Sequence, residues 1–197
     1  MNQSDLTESQ VAAPLQAMRV RWDSLQPTKG GMTTFDSPRF GMTRNGGTRA
    51  HSGIDLVAPV GTPIFAVADG VIEQTRLAHP MFGADILLKF KPVAAWRGYL
   101  ARAGSKDDDG VLFAHYAHLS ALRVIAGQRV RRGMLIGLTG TSGNADQAYP
   151  HLHFELRKVA RPGTGAAGLH NRIDPELMFR VDFSAPVEAL LRATHTA

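Results

Sequence analysis

The sequence predicts a mainly β protein: a compact antiparallel core of barrel- or sandwich-like build, with a groove and with short peripheral helices at the termini. Three observations predict it. Short runs rich in β-branched and aromatic residues recur from Ile64 to Arg157. Turn residues, glycine above all, separate them at close spacing. One run, His151-Leu-His-Phe-Glu-Leu156, alternates polar and apolar residues without a break.

In chain order, residues 1–31 read as an N-terminal extension. A short helix is expected over Val11 to Trp22, broken by Gln26-Pro-Thr-Lys-Gly-Gly31. Met32 to Arg49 is rich in Gly, Thr, Asn and Arg and predicts loops with little regular structure. Ile64–Ala68 and Val71–Thr75 read as two strands, and Asp69-Gly70 between them signals a hairpin. Asp85–Phe90, Val111–Tyr116, Met134–Leu138 and His151–Arg157 read as further strands. Gly127 and Gly133 bracket Arg129, Arg131 and Arg132, which fit a solvated hairpin end. Lys91 to Gly110 interrupts the pattern with Trp96, Tyr99 and Asp107-Asp-Asp109 and reads as an inserted loop. Short helices are expected over Pro175–Phe179 and Pro186–Thr194.

Composition narrows the chemistry. A chain of 197 residues, 44% hydrophobic, fits one domain with modest additions. The formal charge of +5 favours an anionic partner: nucleic acid, a membrane surface or an acidic polymer such as bacterial cell wall. The absence of cysteine excludes disulfides and thiolate metal sites. No apolar run approaches the roughly 20 residues of a spanning helix. The first ten residues, MNQSDLTESQ, lack the basic and apolar regions of a secretory leader, so export by another route, or none, stays open.

Two segments a hundred residues apart carry the candidate chemistry: His51-Ser-Gly-Ile-Asp55 and His151-Leu-His153. In a strand, side chains two apart share a face, about 6.6–6.8 Å from one another. Leu152, Phe154 and Leu156 then face the core, and His151, His153 and Glu155 face a cleft or solvent. Gly53 and Pro59 oppose a helix around His51 and Asp55, so a loop leading into a strand is expected, curved about a common ligand. Two imidazoles and a carboxylate make a catalytic zinc donor set with a position left open. Such a centre keeps its Lewis acidity and lowers the pKa of water toward about 7. His151, beside His153, is placed as general base, and His118 is a candidate to stabilise an oxyanion. His115, three residues before His118, is expected on the opposite strand face, in a structural or peripheral role. His79, His170 and His195 receive no role. Asp107-Asp-Asp-Gly110 lacks the spacing of a calcium loop, and Gly137–Gly143 lacks the lysine of a phosphate loop.

These segments match a known pattern. His51–Val71 resembles the HxGxD…APxGTPVxAxADGxV signature of M23 metallopeptidases, the LytM or lysostaphin type of cell-wall endopeptidase. Tyr116-Ala-His-Leu-Ser120 resembles that family's YxHLS, and Gly127–Gly137 its GxxVxxGxxIG hairpin. Thr141-Ser-Gly143 followed by Pro150-His-Leu-His-Phe-Glu155 resembles TG…PHLHFE. Phe40-Gly41 with Arg44, and Arg172–Leu177, resemble its flanking elements.

The resemblance implies a peptidase domain over 32–182, a tail over 183–197, one zinc ion on His51, Asp55 and His153, and a catalytic pair of His151 and His118. It also implies peptidoglycan peptides, rather than nucleic acid, as partner, hydrolysed at the cell wall in the periplasm or outside the cell. A catalytically inactive regulator or wall-binding module on the same fold is the alternative. A biotinyl or lipoyl carrier, suggested by the hairpin patterns, lacks the lysine at Asp69-Gly70 that it would need.

Overall fold

The structure is a computed structural model, and it describes residues 12–19, 38–44, 47–93, 100, 110–163, 168–179 and 181. Eleven strands among the described residues make it mainly β, as the sequence predicts. They are β1 (Gly41–Arg44), β2 (Arg49–His51), β3 (Ile54–Val57), β4 (Pro63–Phe65), β5 (Gly70–Arg76), β6 (Ala84–Phe90), β7 (Leu112–Leu122), β8 (Arg129–Val130), β9 (Leu135–Thr139), β10 (His151–Arg157) and β11 (Arg172–Ile173). A 3₁₀ turn follows at Pro175–Leu177, capped by the Asp174 side chain accepting from Glu176 N–H.

All the pairings are antiparallel. The main sheet runs β11-β10-β7-β6-β5-β8; β3 lies beside β10, and β9 joins β7 to β4. β10 is central because its face can be buried on both sides of the sheet. Leu152, Phe154 and Leu156 are fully buried in the apolar core, and its other side chains are buried too. The core packs these residues against Ile54, Leu56, Ile86, Leu88 and Ile136. Tyr116 sits among them, edge-on to Phe154 at 5.2 Å between ring centroids. Its hydroxyl accepts a hydrogen bond from Val67 N–H at 3.0 Å. This phenol is what allows an unpaired strand-end amide to be buried at all.

Several expectations need correction. Asp69-Gly70 does not close a hairpin: β4 pairs with β9, while β5 pairs with β6 and β8. The glycine serves a close approach instead, because a Cβ there would meet Lys89 O at 2.3 Å. Likewise β8 and β9 follow one another across a turn but pair with different strands. The region expected to be loop before Arg49 forms the β1–β2 hairpin, its Gly47 N–H donating to Arg44 O. Residues 12–19 are not helical. Pro14 lacks the donor a helix interior needs, and the segment is held by main-chain bonds along the core: Ala12 N–H to Val67 O, Phe65 N–H to Pro14 O and Val57 N–H to Arg19 O. The arginines at 129, 131 and 132 are exposed, as expected. Trp96, Tyr99, Asp107–Asp109, His195 and the helix expected at Pro186–Thr194 lie outside the described residues. Among the described residues no helix is long and apolar enough to cross a membrane.

Replacing Tyr116 by Phe keeps the ring packing and strands the buried Val67 N–H. A loss of about 1–3 kcal/mol is expected, read as a lower denaturant midpoint at unchanged slope.

Candidate metal centre

β10 and β3 pair in a register that sets His153 directly opposite Asp55. Cross-strand partners share a face with Cβ atoms about 4.5–5.5 Å apart, so the sheet itself brings this imidazole to this carboxylate. His153 Nδ1 lies 2.9 Å from Asp55 Oδ1. His51, at the end of β2, folds over the pair through the Ser52-Gly53 link. Its Nε2 is 3.1 Å from His153 Nδ1 and 3.2 Å from Asp55 Oδ1. Gly53 makes the fold-over possible, since a Cβ there would stand 2.3 Å from Phe154 O.

All three side chains are buried, and one ligand atom from each lies within 4.8 Å of the others. Their remaining polar atoms are already committed. His51 Nδ1–H donates to Arg39 O at 2.9 Å, which turns Nε2 toward the cluster. His153 Nε2–H donates to Glu155 Oε1 at 2.9 Å, which turns Nδ1 toward it. Asp55 Oδ2 takes the Arg44 guanidinium. Inward donor atoms, with each ring oriented by an outer partner, make an arrangement that could hold a metal ion.

Glu155 is the outer anchor. Fully buried, its carboxylate accepts from His153, Ser52 Oγ at 2.8 Å, Arg157 Nε at 2.7 Å and Arg172 Nε at 3.1 Å. Burial pushes this carboxyl up, but His115, His153 and Arg157 together hold it well below the usual range. Asp55 follows the same logic: burial opposes its charge, and His51, His151 and Arg44 outweigh it. His153 lies between the two carboxylates. Burial lowers its pKa, and the bonds to Asp55 and Glu155 raise it further, to about 9. Burial lowers His51 as well, only partly offset by Asp55.

Two further histidines border the cluster. His151 Nδ1–H donates to Tyr149 O at 2.8 Å, so its Nε2 faces the cleft, 3.7 Å from Asp55 Oδ1. His118 Nδ1–H donates to Ser142 O at 2.8 Å, and the two rings stand 4.9 Å apart. Burial, then the neighbouring His153 and His151, lower His118 to about 3. The cleft that these side chains line has a volume of about 210 Å³.

His118 reaches this face by an irregularity. It has φ 63°, a left-handed conformation uncommon outside glycine, and the pairing of β7 with β9 slips just beyond it. The bulge breaks strand parity. His115, opposite Glu155 on the same sheet, therefore also lies on the cluster's side, not on the opposite face as the three-residue spacing suggests. The polar face of β10 is closed over rather than solvated, with His151, His153 and Glu155 all at most 5% exposed. His79 is not in the cluster; its Nδ1 accepts from Met81 and Phe82 N–H and caps that turn. His170 is exposed.

Sequence reasoning assigned no role to Glu155, Arg39, Ser142 or Arg44. Glu155 was findable, since it falls two residues after His153 on the same face. Arg39 and Ser142 act through main-chain carbonyls, which leave no side-chain signature.

With this geometry in place, comparison with known proteins is decisive. The sequence matches the model of Peptidase family M23 over residues 49–166. The chain belongs to peptidase family M23. Among M23 relatives, peptidoglycan DD-endopeptidase ShyA of Vibrio cholerae is 36% identical over 112 residues, covering 57% of this chain and 21% of ShyA. Glycyl-glycine endopeptidase ALE-1 of Staphylococcus capitis is 34% identical over 111 residues, covering 56% of this chain and 25% of ALE-1. The match thus spans about a fifth to a quarter of these relatives' length. The solved SpoIIQ–SpoIIIAH pore forming complex aligns with a TM-score of 0.51 at 19% identity, over 93% of this chain and 97% of that one, a likeness of fold.

Gly53→Ala is expected to push the His51–Asp55 turn off β10. Overpacking of this kind costs about 1–3 kcal/mol, measurable by denaturant unfolding. The His51 ring resonances should shift with it.

Proposed function

We propose that this M23 chain is a zinc endopeptidase that hydrolyses peptide bonds in the cross-links or stem peptides of bacterial peptidoglycan, at the cell wall. One zinc ion would sit on His51 Nε2, Asp55 Oδ1 and His153 Nδ1. The observation that carries the reading is the convergence of those three buried donor atoms, within 4.8 Å, inside the segment that matches the family. The naming of ShyA as a peptidoglycan DD-endopeptidase and of ALE-1 as a glycyl-glycine endopeptidase supports the substrate class. The donor set suits zinc, with nitrogen and carboxylate ligands and a position left for substrate.

Zinc, when bound, supplies Lewis acidity to the scissile carbonyl and the attacking water. The chain's own residues supply the proton chemistry. His151, its Nδ1–H held by Tyr149 O, turns Nε2 toward the cleft and takes the proton of the water as general base. His118 presents its Nε2 as well. Its ring is held neutral and its only N–H is committed to Ser142 O. The role of oxyanion donor expected from the sequence would need a proton that burial opposes. We therefore assign His118 to accept from the attacking water and orient it toward His151. Arg44 and Glu155 act through the ligands they hold. The complete donor set argues against the inactive-module alternative.

Zinc-loaded protein incubated with purified peptidoglycan should yield new peptide ends by muropeptide mass spectrometry, and none would sink the hydrolase reading. His151→Ala should keep one zinc by elemental analysis and lose at least about a hundredfold in rate. Zinc uptake should release protons, because His153 must give up the one it holds below about pH 9. Calorimetry near pH 7 in buffers of different ionisation enthalpy should register about one proton per zinc. Apparent affinity should climb roughly tenfold per pH unit until about pH 9 and level off above it. Uptake without proton release would remove His153 from the ligand set.

A further inference from the structure

Next to the metal cleft lies a larger cavity of about 470 Å³. Phe82 borders both. Its ring stacks 5.9 Å from His153 on one side and lies 5.7 Å from the Arg157 guanidinium carbon on the other. His153, Glu155 and Arg157 alternate along one face of β10, and His115 stands opposite Glu155 on β7.

Among the described residues the lining of this cavity carries Arg76, Arg157, Arg161 and Arg172 and no acidic side chain. The two nearby carboxylates are fully buried beneath it. Asp85 takes Arg76 through three contacts of 2.6–3.0 Å, and Glu155 takes Arg157 and Arg172. Four guanidiniums over two carboxylates leave an excess of positive charge facing the cavity. His115 lies among these groups. Its Nδ1 accepts from Arg157 Nη2 at 2.7 Å, so the ring proton of the neutral imidazole is on Nε2. That Nε2 is buried with no hydrogen-bond partner, and Asp85 Oδ2 stands 3.6 Å away, outside hydrogen-bond range. The Asp85 carboxylate is its nearest acceptor, and the pair adds to the charge balance beneath the cavity.

We propose that this cavity is an anion subsite that takes a free carboxylate of the peptide substrate, and so selects acidic stem peptides over neutral glycine bridges. The proposal rests on the endopeptidase reading for the identity of the ligand. Arg157 is four residues from His153, about 13 Å along the strand. An extended peptide laid along β10 has the same repeat. A carboxylate a few residues from the bond at the metal centre, or at the end of a longer side chain nearer to it, therefore reaches the guanidiniums. Arginine forks pair with carboxylates in two parallel bonds, which fixes the register of the chain as well as holding it. Oligoglycine has no side chain to fill the cavity and no side-chain carboxylate to pair with its guanidiniums.

The test uses zinc-loaded protein and a synthetic stem tetrapeptide, followed by calorimetry. The peptide is prepared with free carboxylates, with only its side-chain carboxylates amidated, with only its C-terminus amidated, and fully amidated. The free acid should bind at least tenfold more tightly than the full amide, and the two half-amidated peptides identify which carboxylate is read. Arg161 is exposed on the loop after β10, so its replacement does not endanger the core. In Arg161→Ala the acid preference should fall to about threefold or less, and Arg161→Glu should abolish it. Equal binding of acid and amide, a preference that survives Arg161→Glu, or no binding of either peptide overturns the subsite. Muropeptide release by the same preparation is scored separately. Hydrolysis without acid preference keeps the endopeptidase and removes the subsite, whereas acid preference without hydrolysis does the reverse.

Discussion

The register between β3 and β10 is the constraint on which the rest depends. It sets Asp55 across from His153 and, one pair further along, Ile54 across from Phe154. A slip of one residue would exchange the two faces of β10, sending its ligands into the oil and its core residues into the cleft. The apolar side of the strand therefore protects the polar side. Phe154, Leu152 and Leu156 make any other register expensive, and the metal centre inherits that precision without contributing to it. Function and folding share one strand, each using alternate residues.

The polar side carries its own cost. A run of buried histidines and carboxylates is tolerable only if every charge finds a counter-charge. Here the accounts are kept by arginines drawn from distant parts of the chain: Arg44 on Asp55, Arg157 and Arg172 on Glu155, Arg76 on Asp85. Arg39, clasping Glu176, extends the same network to the 3₁₀ turn at the end of the domain while its carbonyl orients His51. The orientation of a ring in the centre is thus tied to the closing segment of the fold.

Much of this was legible in the sequence, for physical reasons. Period-two alternation at His151–Leu156 is a direct projection of strand geometry, so the ligand-bearing strand and its core face could be read from it. What failed were inferences about partners and parity. Asp69-Gly70 reports a constrained backbone, but which strands a turn joins is decided by long-range packing, and Gly70 answers to Lys89 rather than to a hairpin. His115 and His118 were assigned to opposite faces because alternation assumes an unbroken strand, and one residue at positive φ defeats it. Over residues 12–19 the expected helix lost to main-chain pairing with the edges at Val57, Phe65 and Val67, contacts invisible in a local window. The β1–β2 hairpin carries mixed polar side chains on an exposed rim, so no hydrophobic period marks it.

The tether between His118 and Ser142 carries a consequence of its own. The carbonyl that receives Nδ1–H belongs to the peptide unit leading into Gly143, and it alone decides which ring nitrogen keeps the proton. Were that unit to rotate by half a turn, its N–H would face the ring in place of its oxygen. Nδ1 would become the acceptor, and Nε2 would turn from a base into an acid toward the cleft. The polarity of the His118 ring is therefore a property of backbone conformation at the Ser142–Gly143 peptide beyond β9, one that no substitution at His118 itself would reveal.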